Sequence, residues 1–351
     1  METQRLILFF VFVFSTFMLV DAWQRDQRPP VTATQDAAKK AAGKTDSGIP
    51  VPQAPSATNT SGVPSAPAVD KAVPTAPGAV VLGGLPIKVD TDLMRVELST
   101  QGGDVRRVEF KRHKGTLDKT KNFVLLQSTP DLTYIAQSGL IGEGLANHRT
   151  KYESKSREYV MADGAQTLEV RLEALETNGV KVAQVYKFTR GSYVIDVAYE
   201  ITNGTDKSLN PYGYFQLVRD RKPPEGDSAM LPTYTGPAVY TKGEKFQKVA
   251  FDDIDKSKTS YSKSTQDEGW VGMIQHYFLS AFLPKEKSSR EFYTKKLDGG
   301  LYTVGTVVTG NVIAAGQGGR VEVPLYVGPQ ETAKLEKLAP GLDLVVDYGD
   351  R

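Results

Sequence analysis

The stretch that decides the fold is YVIDVAYEI, residues 193–201, in which large apolar side chains occupy every second position. Successive side chains of a strand point to opposite faces of a sheet, so this spacing predicts a strand with one buried face. The same alternation recurs at residues 94–98 and 168–172. From residue 85 onward, the chain is therefore predicted to consist mainly of strands.

Turn-forming residues separate the predicted strands. They occur in four groups: Gly102-Gly103-Asp104, Asn178-Gly179, Asn203-Gly204-Thr205-Asp206 and Gly316-Gln317-Gly318-Gly319. Short turns of this kind join neighbouring antiparallel strands, and the last group separates two strand-like runs, 302–314 and 320–327. The pattern has no repeated alternation of strands and helices. It therefore predicts antiparallel sheets packed as one large β-sandwich over residues 83–342.

One helix is predicted near the end of this domain, at about residues 329–339. Gly328 suits a helix cap and Pro329 suits the first helical position. Glu331 complements the positive end of a helix, while Lys334 lies nearer the negative end. We expect this helix to pack back on the sandwich.

The chain opens with an uncharged, apolar run, LILFFVFVFSTFMLV at residues 6–20. As a helix that extends to Trp23 it would rise about 27 Å, close to the thickness of a bilayer's hydrocarbon core. The run also fits a cleavable signal peptide, because Arg5 precedes it and a small-residue site ends at Ala22. The residues alone leave both alternatives open: a transmembrane anchor at residues 6–23, or a signal peptide removed after Ala22.

The basic residues that flank the apolar run bear on its orientation. Arg5 precedes the run, whereas four Lys and Arg residues follow it between positions 25 and 40. By the positive-inside rule, this distribution favours an N-terminus outside the cytoplasm. Long domains translocate largely regardless of flanking charge, so we expect residues 1–5 to be cytoplasmic and the large domain to be exported.

A stretch rich in Pro, Ala, Ser and Thr links the apolar run to the predicted sandwich. It covers residues 24–82 and contains few large apolar side chains. Such a composition cannot bury a core, so the stretch is predicted to be a disordered, partly extended tether.

The overall charge and the cysteine content exclude several classes of function. The chain has 43 basic and 41 acidic residues and a net charge of +2, which does not favour a nucleic-acid partner. It contains no cysteine, so disulfides, thiolate nucleophiles and Cys-ligated metal sites are excluded.

Neither a catalytic site nor a cofactor site is predicted. His113 and His148 lie in loop-like stretches, and His276 lies in an aromatic, strand-like stretch where a structural histidine is the default. The acidic run at 252–255 is similar to a calcium loop, but Lys258 stands where that loop needs glycine. The run is therefore predicted to be a loop paired with nearby lysines. We assign no catalytic, cofactor-binding or metal-ligating residue and no cofactor.

Nine short strings follow one another along the chain in a characteristic order. They are Gln4-Arg5 and Ala22-Trp23 around the apolar run, STQGGD at 99–104, YIAQSGL at 134–140, GEKF at 243–246, GWVGM at 269–273, QHYF at 275–278, VGPQ at 327–330 and LDLVVDYG at 342–349. In this order and spacing, with the anchor, tether and β domain, the chain resembles the N-terminal part of Gram-negative YidC-type membrane protein insertases.

The resemblance implies an uncleaved anchor at 6–23 and a periplasmic domain with the β-supersandwich fold of galactose mutarotases and a C-terminal helix. It implies a protein of the cell inner membrane, with a single span in this chain, that helps integral inner-membrane proteins to insert, fold and assemble. The implied partners are nascent inner-membrane proteins, the Sec translocon with its accessory subunits, and the lipid bilayer through the N-terminal helix.

The resemblance also bears on what this chain would do alone. In the family, the stretch that corresponds to 343–351 leads into a membrane core that performs insertion. Here the sequence ends at Arg351. We therefore expect no insertion activity and no enzymatic activity from this chain alone.

Two other functions remain alternatives at this point. The implied fold also occurs in sugar-handling enzymes, so a mutarotase-like sugar-binding protein or epimerase is one of them, although it would need a paired acid and base. The other is a secreted β-protein released after Ala22, with binding or structural roles only.

Overall fold

The computed structural model describes residues 83–142, 145–227, 233–258, 260–285 and 287–346, and their strands form two sheets. In spatial order, sheet A comprises β14 (Ser264–Thr265), β17 (Arg290–Leu297), β18 (Leu301–Thr309), β11 (Tyr212–Asp220), β5 (Thr133–Ile141), β4 (Asn122–Ser128), β3 (Val105–Lys114), β2 (Met94–Ser99), β1 (Pro86–Asp90) and β7 (Glu158–Val160). Sheet B comprises β13 (Lys245–Lys248), β12 (Thr235–Thr241), β15 (Trp270–Gln275), β16 (Phe278–Phe282), β19 (Gly318–Pro329), β10 (Val194–Asn203), β9 (Val180–Thr189), β8 (Thr167–Ala174) and β6 (Tyr152–Ser154). The predicted mainly β, two-sheet architecture is confirmed.

The alternating stretch at 193–201 forms most of β10, in the interior of sheet B between β9 and β19. Ile195, Val197, Tyr199 and Ile201 are at most 2% exposed, so the predicted buried face is confirmed. This face packs towards sheet A, because the Tyr199 hydroxyl lies 2.9 Å from Ser138 Oγ of β5.

Strand pairing follows the turn chemistry of the sequence. Asn178 and Gly179 both have left-handed backbone angles, with φ of 51° and 78°, which is the conformation that a tight two-residue hairpin turn requires. They join β8 to β9, whose strands pair antiparallel. One pair departs from the antiparallel prediction, since β1 and β7 run parallel.

The half of sheet B formed by β12, β15 and β16 is covered on its outer face. Met273 and Gln275 of β15 contact sheet A, so Trp270 points to the opposite, outer face. There the residues 332–345, which we call the C-terminal segment, pack against the strands. The Trp270 indole N–H donates to the Pro340 carbonyl at 3.0 Å.

The C-terminal segment contributes directly to the hydrophobic core. Leu335 and Leu342 are fully buried, and Val345 is 1% exposed. Gly341 lies against the face of Tyr240, and a Cβ there would come within 2.1 Å of that ring. A residue larger than glycine would therefore push the segment off the sheet.

The predicted C-terminal helix is much shorter than 329–339. Helix α2 covers only Thr332–Leu335, and a 3₁₀ turn follows at Leu342–Val345. Gly328 and Pro329 do not start a helix, because they pair with Leu279 and Phe278 as the last residues of β19. Strand pairing with β16 outweighs the local helix signal at these positions.

Three other predictions on local structure were wrong. The acidic run at 252–255 lies in helix α1 (Phe251–Asp255) rather than in a loop, because Phe251 and Ile254 share one buried face. His113 lies in β3 and packs on aromatic rings instead of in a solvated loop. The run at 302–314 ends as a strand at Thr309, where pairing with β11 stops.

Several predictions concern residues that are not described. The cytoplasmic N-terminus at 1–5, the anchor at 6–23 and the tether at 24–82 all lie outside the described residues. Within the described ranges, no helix combines the length and the apolar character needed to cross a membrane.

Candidate functional site

The three histidines lie on different elements. The rings of His148 and His276 form hydrogen bonds with hydroxyl groups rather than with carboxylates. The His148 ring Nδ1 and backbone N–H both contact the Tyr214 hydroxyl, the backbone contact being 3.1 Å long. His276 Nδ1 lies 2.7 Å from Thr233 Oγ1. Burial lowers the pKa of His148 to about 4. His148 is therefore a neutral, hydrogen-bonded ring at neutral pH, as expected of a structural histidine.

The strongest concentration of buried polar groups starts at the Gly102-Gly103-Asp104 turn. From Asp104 one chain of hydrogen bonds runs along sheet A: Gln137 Nε2 donates to Asp104 Oδ2 at 3.2 Å, and Gln216 Nε2 donates to Gln137 Oε1 at 3.0 Å. The Tyr293 hydroxyl then donates to Gln216 Oε1 at 2.9 Å. We call this the sheet A chain.

The sheet A chain depends on a glycine in β18. Tyr293 belongs to β17 and reaches Gln216 of β11 by crossing the intervening strand at Gly305. A Cβ at Gly305 would lie 2.3 Å from the Tyr293 ring. The hydrogen bond between Tyr293 and Gln216 therefore requires glycine at position 305.

A second chain of hydrogen bonds runs between the sheets. The Tyr186 hydroxyl of β9 donates to the Gly103 carbonyl. Gln184 Nε2 donates to the Tyr186 hydroxyl at 3.0 Å and to Ser138 Oγ at 3.2 Å, and Ser138 Oγ contacts the Tyr199 hydroxyl. We call this the inter-sheet chain. Burial raises the pKa of Tyr186 and of Tyr199 well above the ordinary tyrosine value.

Asp104 is the acidic group of these chains. Its side chain is buried, and burial raises its pKa to about 7, against the charge of Arg106 and the hydrogen bond from Gln137. A carboxyl group with this pKa is about half protonated at neutral pH. Because Asp104 is sealed from solvent, it is a structural proton-binding group rather than a residue that can reach a substrate.

The described residues also give no metal centre. No group of three or more His, Asp or Glu side chains in the described ranges is placed to hold a metal ion.

A concave surface lies on the other half of sheet B, over β6, β8, β9 and β10. It is a groove of about 900 Å³. Its lining includes Thr100 and Tyr152 at one side, Ala183 on the floor and the exposed side chains of Leu85 and Leu175. The groove mixes charged walls with small and apolar patches, and such surfaces suit contact with another chain.

An unbroken series of ion pairs crosses this outer face. In order, its members are Glu173, Arg171, Glu200, Arg320, Glu322 and Lys285. Glu200 lies at the centre, bonded to Arg171 on one side and to Arg320 at 2.8 Å on the other. The hydrogen bond that Arg171 donates to Glu200 raises the pKa of Arg171. We call this series the ion-pair chain.

The ion-pair chain lies over small buried side chains. Ala183, Val185 and Ala198 point to the outer face of sheet B, yet they are at most 4% exposed. Long Arg and Glu side chains cover them with their aliphatic stems while the charged ends stay in solvent.

A smaller cavity of about 250 Å³ lies where the C-terminal segment meets β15. Trp270, Pro340 and Arg290 contribute to its walls. The buried Arg290 guanidinium donates to the carbonyls of Gly269 at 2.9 Å and Pro284 at 3.0 Å. These bonds hold two loops together, which is a structural role for the charge.

Sequence reasoning missed the polar chains and the ion-pair chain. Glu169, Arg171 and Glu173 alternate with apolar residues in the strand predicted at 168–172, so their exposure could have been foreseen. Glu200, the partner of Arg171, and Arg320, the next member of the ion-pair chain, lie on strands distant in sequence, and single strands do not reveal such pairs.

Comparison with known proteins decides the family. Residues 86–350 match the family model described as YidC periplasmic domain. The chain belongs to this family. Family membership implies an inner-membrane protein with a periplasmic domain, and the YidC match spans the whole of both sheets.

Curated YidC relatives extend the similarity to nearly the whole chain. The membrane protein insertase YidC of Nitrosospira multiformis is 43% identical over 357 residues, covering 99% of this chain and 62% of the relative. That of Aromatoleum aromaticum is 48% identical over 351 residues, covering 99% and 61%. The chain thus spans about three fifths of the length of these relatives, which are named membrane protein insertases.

Among solved structures, the YidC domain is similar to a galactose mutarotase-related enzyme from Lactobacillus acidophilus. The TM-score is 0.44 and the identity 10%, over 69% of this chain and 97% of that one. A likeness at this distance carries no conclusion about activity.

Proposed function

We propose that this chain is the anchored, periplasmic part of an insertase that helps integral inner-membrane proteins to insert, fold and assemble, with or without the Sec translocon. The match of residues 86–350 to the YidC periplasmic domain carries the proposal. The proposed partners are nascent inner-membrane proteins, the Sec translocon with its accessory subunits, and the bilayer through residues 6–23. Nucleic acid is not among them.

Within this role, we infer that the domain is an accessory contact module rather than the inserting machine or an enzyme. The groove on sheet B supports a contact role, since it is open to solvent and offers Leu85 and Leu175 beside charges of both signs. The interior polar groups do not support catalysis, because Asp104 is buried and His148 bonds to a tyrosine hydroxyl. The mutarotase-like alternative would need a paired acid and base, and in the described residues the rings of His148 and His276 contact hydroxyl groups.

Site-specific photo-crosslinking in growing cells tests the contact role. A photoreactive amino acid replaces Leu175, which is 88% exposed at the groove, and, as a matched control, Leu344, which is 49% exposed on the C-terminal segment. The chain is produced in cells that retain their own insertase. We expect crosslinks to newly made inner-membrane proteins or translocon subunits from position 175 and not from position 344.

The same strain, depleted of its own insertase, tests the accessory role. We expect the chain alone to restore neither growth nor membrane insertion. Restored insertion would overturn the accessory assignment, whereas equal crosslinking from positions 175 and 344 would remove the groove from the proposal.

A further inference from the structure

Two large apolar side chains are exposed at the same end of the sandwich. Leu117, at the tip of the β3–β4 hairpin, is 68% exposed, and Tyr277, in the β15–β16 turn, is 74% exposed. A short series of contacts joins the two tips. Gly226 packs against Thr116, the neighbouring Asp227 accepts a hydrogen bond from Thr233, and Thr233 Oγ1 contacts His276.

The hairpin that carries Leu117 is held in a fixed conformation. The Gly115 N–H donates to the Lys121 carbonyl at 2.9 Å, and the Asp118 carboxylate accepts the Thr120 N–H at 2.9 Å. The tip is therefore an ordered turn. This ordered turn holds the Leu117 side chain in solvent, where most of its surface is exposed.

The turn that carries Tyr277 is held even more firmly. His276 has a left-handed φ of 52°, which is unfavourable for a residue with a side chain. The Gln330 side chain donates to the carbonyls of His276 and Phe278 at 3.0 and 2.9 Å, and its backbone N–H donates to the Tyr277 carbonyl at 2.7 Å. Strained backbone that the surroundings hold in place is typical of functional surfaces.

Basic side chains surround the exposed leucine. The hairpin sequence KRHKGTLDKTK, residues 111–121, contains five Lys or Arg residues and one Asp; Lys111 pairs with Asp90, so the remaining residues carry a charge of +3 with the histidine neutral. Lys114 donates to the neutral amide oxygen of Asn122, and Lys121 is 80% exposed beside Asp118. Lys119 is exposed next to Leu117 in the same turn.

We propose that this end of the sandwich rests on an anionic bilayer surface. Leucine and tyrosine side chains partition into the interface between headgroups and acyl chains, and lysines attract anionic headgroups. The combination of an ordered apolar tip, an exposed tyrosine and three lysines on the leucine hairpin matches that chemistry. The lipid contact would orient the domain, and it is independent of what the groove binds.

Fluorescence quenching in reconstituted vesicles tests the lipid contact. The chain lacks cysteine, so Leu117→Cys, Tyr277→Cys and the control Leu175→Cys each give one labelling site for an environment-sensitive dye. The full chain is reconstituted into vesicles of phosphatidylcholine alone or mixed with phosphatidylglycerol. We expect a lipid-borne spin label to quench the dyes at positions 117 and 277 in the mixed vesicles, and the dye at 175 in neither.

A charge variant tests whether the lysines of the hairpin attract the anionic lipid or whether the dyes only happen to lie near the bilayer. Replacing Lys114, Lys119 and Lys121 by Gln in the Leu117→Cys chain should lower the lipid-contact equilibrium constant about 100-fold, at about fivefold for each lysine. These side chains are at the surface, so folding should persist, which circular dichroism checks. Equal quenching at all three dye positions, or quenching unaffected by phosphatidylglycerol and by the charge variant, would overturn the proposal. If added inner-membrane proteins, and not lipid, shielded the dyes at positions 117 and 277 from solvent, the surface would be assigned to a protein partner. That result would also overturn the proposal.

Discussion

The two halves of the outer face of sheet B are covered in different ways. Over β12, β15 and β16, the C-terminal segment buries Leu335 and Leu342 completely and receives a hydrogen bond from Trp270. Over β8, β9 and β10, the charged side chains of the ion-pair chain lie on the same face as the buried Ala183 and Ala198. One half is closed by apolar burial, while the other keeps a charged groove open to solvent.

Polar groups occur beneath both halves, since the buried Arg219 of β11 donates to Gln275 of β15 and the Tyr134 hydroxyl contacts Ser280 of β16, but the longer inter-sheet chain lies beneath the open half. Under the covered half, apolar side chains such as Phe282 and Phe215 meet, with ring centroids 5.6 Å apart. Under the open half lie Gln184, Tyr186 and Tyr199, the buried polar members of the inter-sheet chain. Hydrophobic burial supplies most folding free energy, whereas satisfied polar networks mainly specify one arrangement. The covered half should therefore provide most of the stability, and the open half should respond most to pH and salt.

The largest effect is expected from Trp270→Ala in the covered half. The change removes a buried ring that stacks on Tyr240 at 5.8 Å and the hydrogen bond to Pro340. We expect the free energy of unfolding to fall by about 3–5 kcal/mol, as for other buried tryptophans. Guanidinium unfolding of the full chain in mild detergent, followed by circular dichroism, measures the change.

Tyr277→Ala is the matched control for this prediction, because Tyr277 is an aromatic residue of the same sheet that is 74% exposed. In the absence of lipid it should change the unfolding free energy by no more than about 0.5 kcal/mol. If both variants lost the same stability, the covered half could not be the main source of folding free energy.

An intermediate effect is expected from Asp104→Asn, at the origin of the polar chains. Burial raises the pKa of Asp104 from 3.8 to about 7, so the folded chain holds this proton more tightly than the unfolded chain. The stabilisation is complete below about pH 4 and is lost as the pH rises to about 7. The free energy of unfolding of the native chain minus that of the variant should therefore fall by about 2–4 kcal/mol across this range.

Subtracting the unfolding free energy of the variant from that of the native chain removes the contributions of other titrating groups, because both chains contain them. Burial lowers the pKa of His148, so its own contribution to stability rises with pH up to about 6.5, opposite to that of Asp104. Asp255→Asn is the control, since hydrogen bonding to Lys296 lowers the pKa of Asp255. The free energy of unfolding of the native chain minus that of Asp255→Asn should not change with pH above about pH 5. A flat curve for Asp104→Asn as well would show that the open half has no special pH response.

The sequence predicted those features of the two halves that depend on local patterns. Alternation at 193–201 predicted a buried strand, and Asn178-Gly179 predicted the hairpin between β8 and β9, because period and turn chemistry are local properties. The helix predicted at 329–339 is present but starts later and is shorter, for the opposite reason. Gly328 and Pro329 pair with β16, about 50 residues earlier in the chain, and this tertiary contact overrides the local signal.

The site features were not predictable in the same way. Asp104 was read as part of a turn, and only its contact with Gln137, 33 residues away, and its burial make it a proton-binding group. Glu200 and Arg320 are separated by 120 residues and meet because β10 pairs with β19. Such groups become recognisable only when the strand order is known.

The smallest effect is expected from Glu200→Gln, at the centre of the ion-pair chain in the open half. The change removes the charge that joins Arg171 to Arg320, but these side chains are 37–42% exposed and solvent screens them. We expect a loss of about 0.5–1 kcal/mol at low salt, and a smaller one in about 1 M salt, where the screening length is short. Glu176→Gln, which breaks the single pair with Lys181, is the control and should lose less. A loss above about 2 kcal/mol, or one that salt does not change, would mean that the ion-pair chain stabilises the open half as firmly as burial stabilises the covered half.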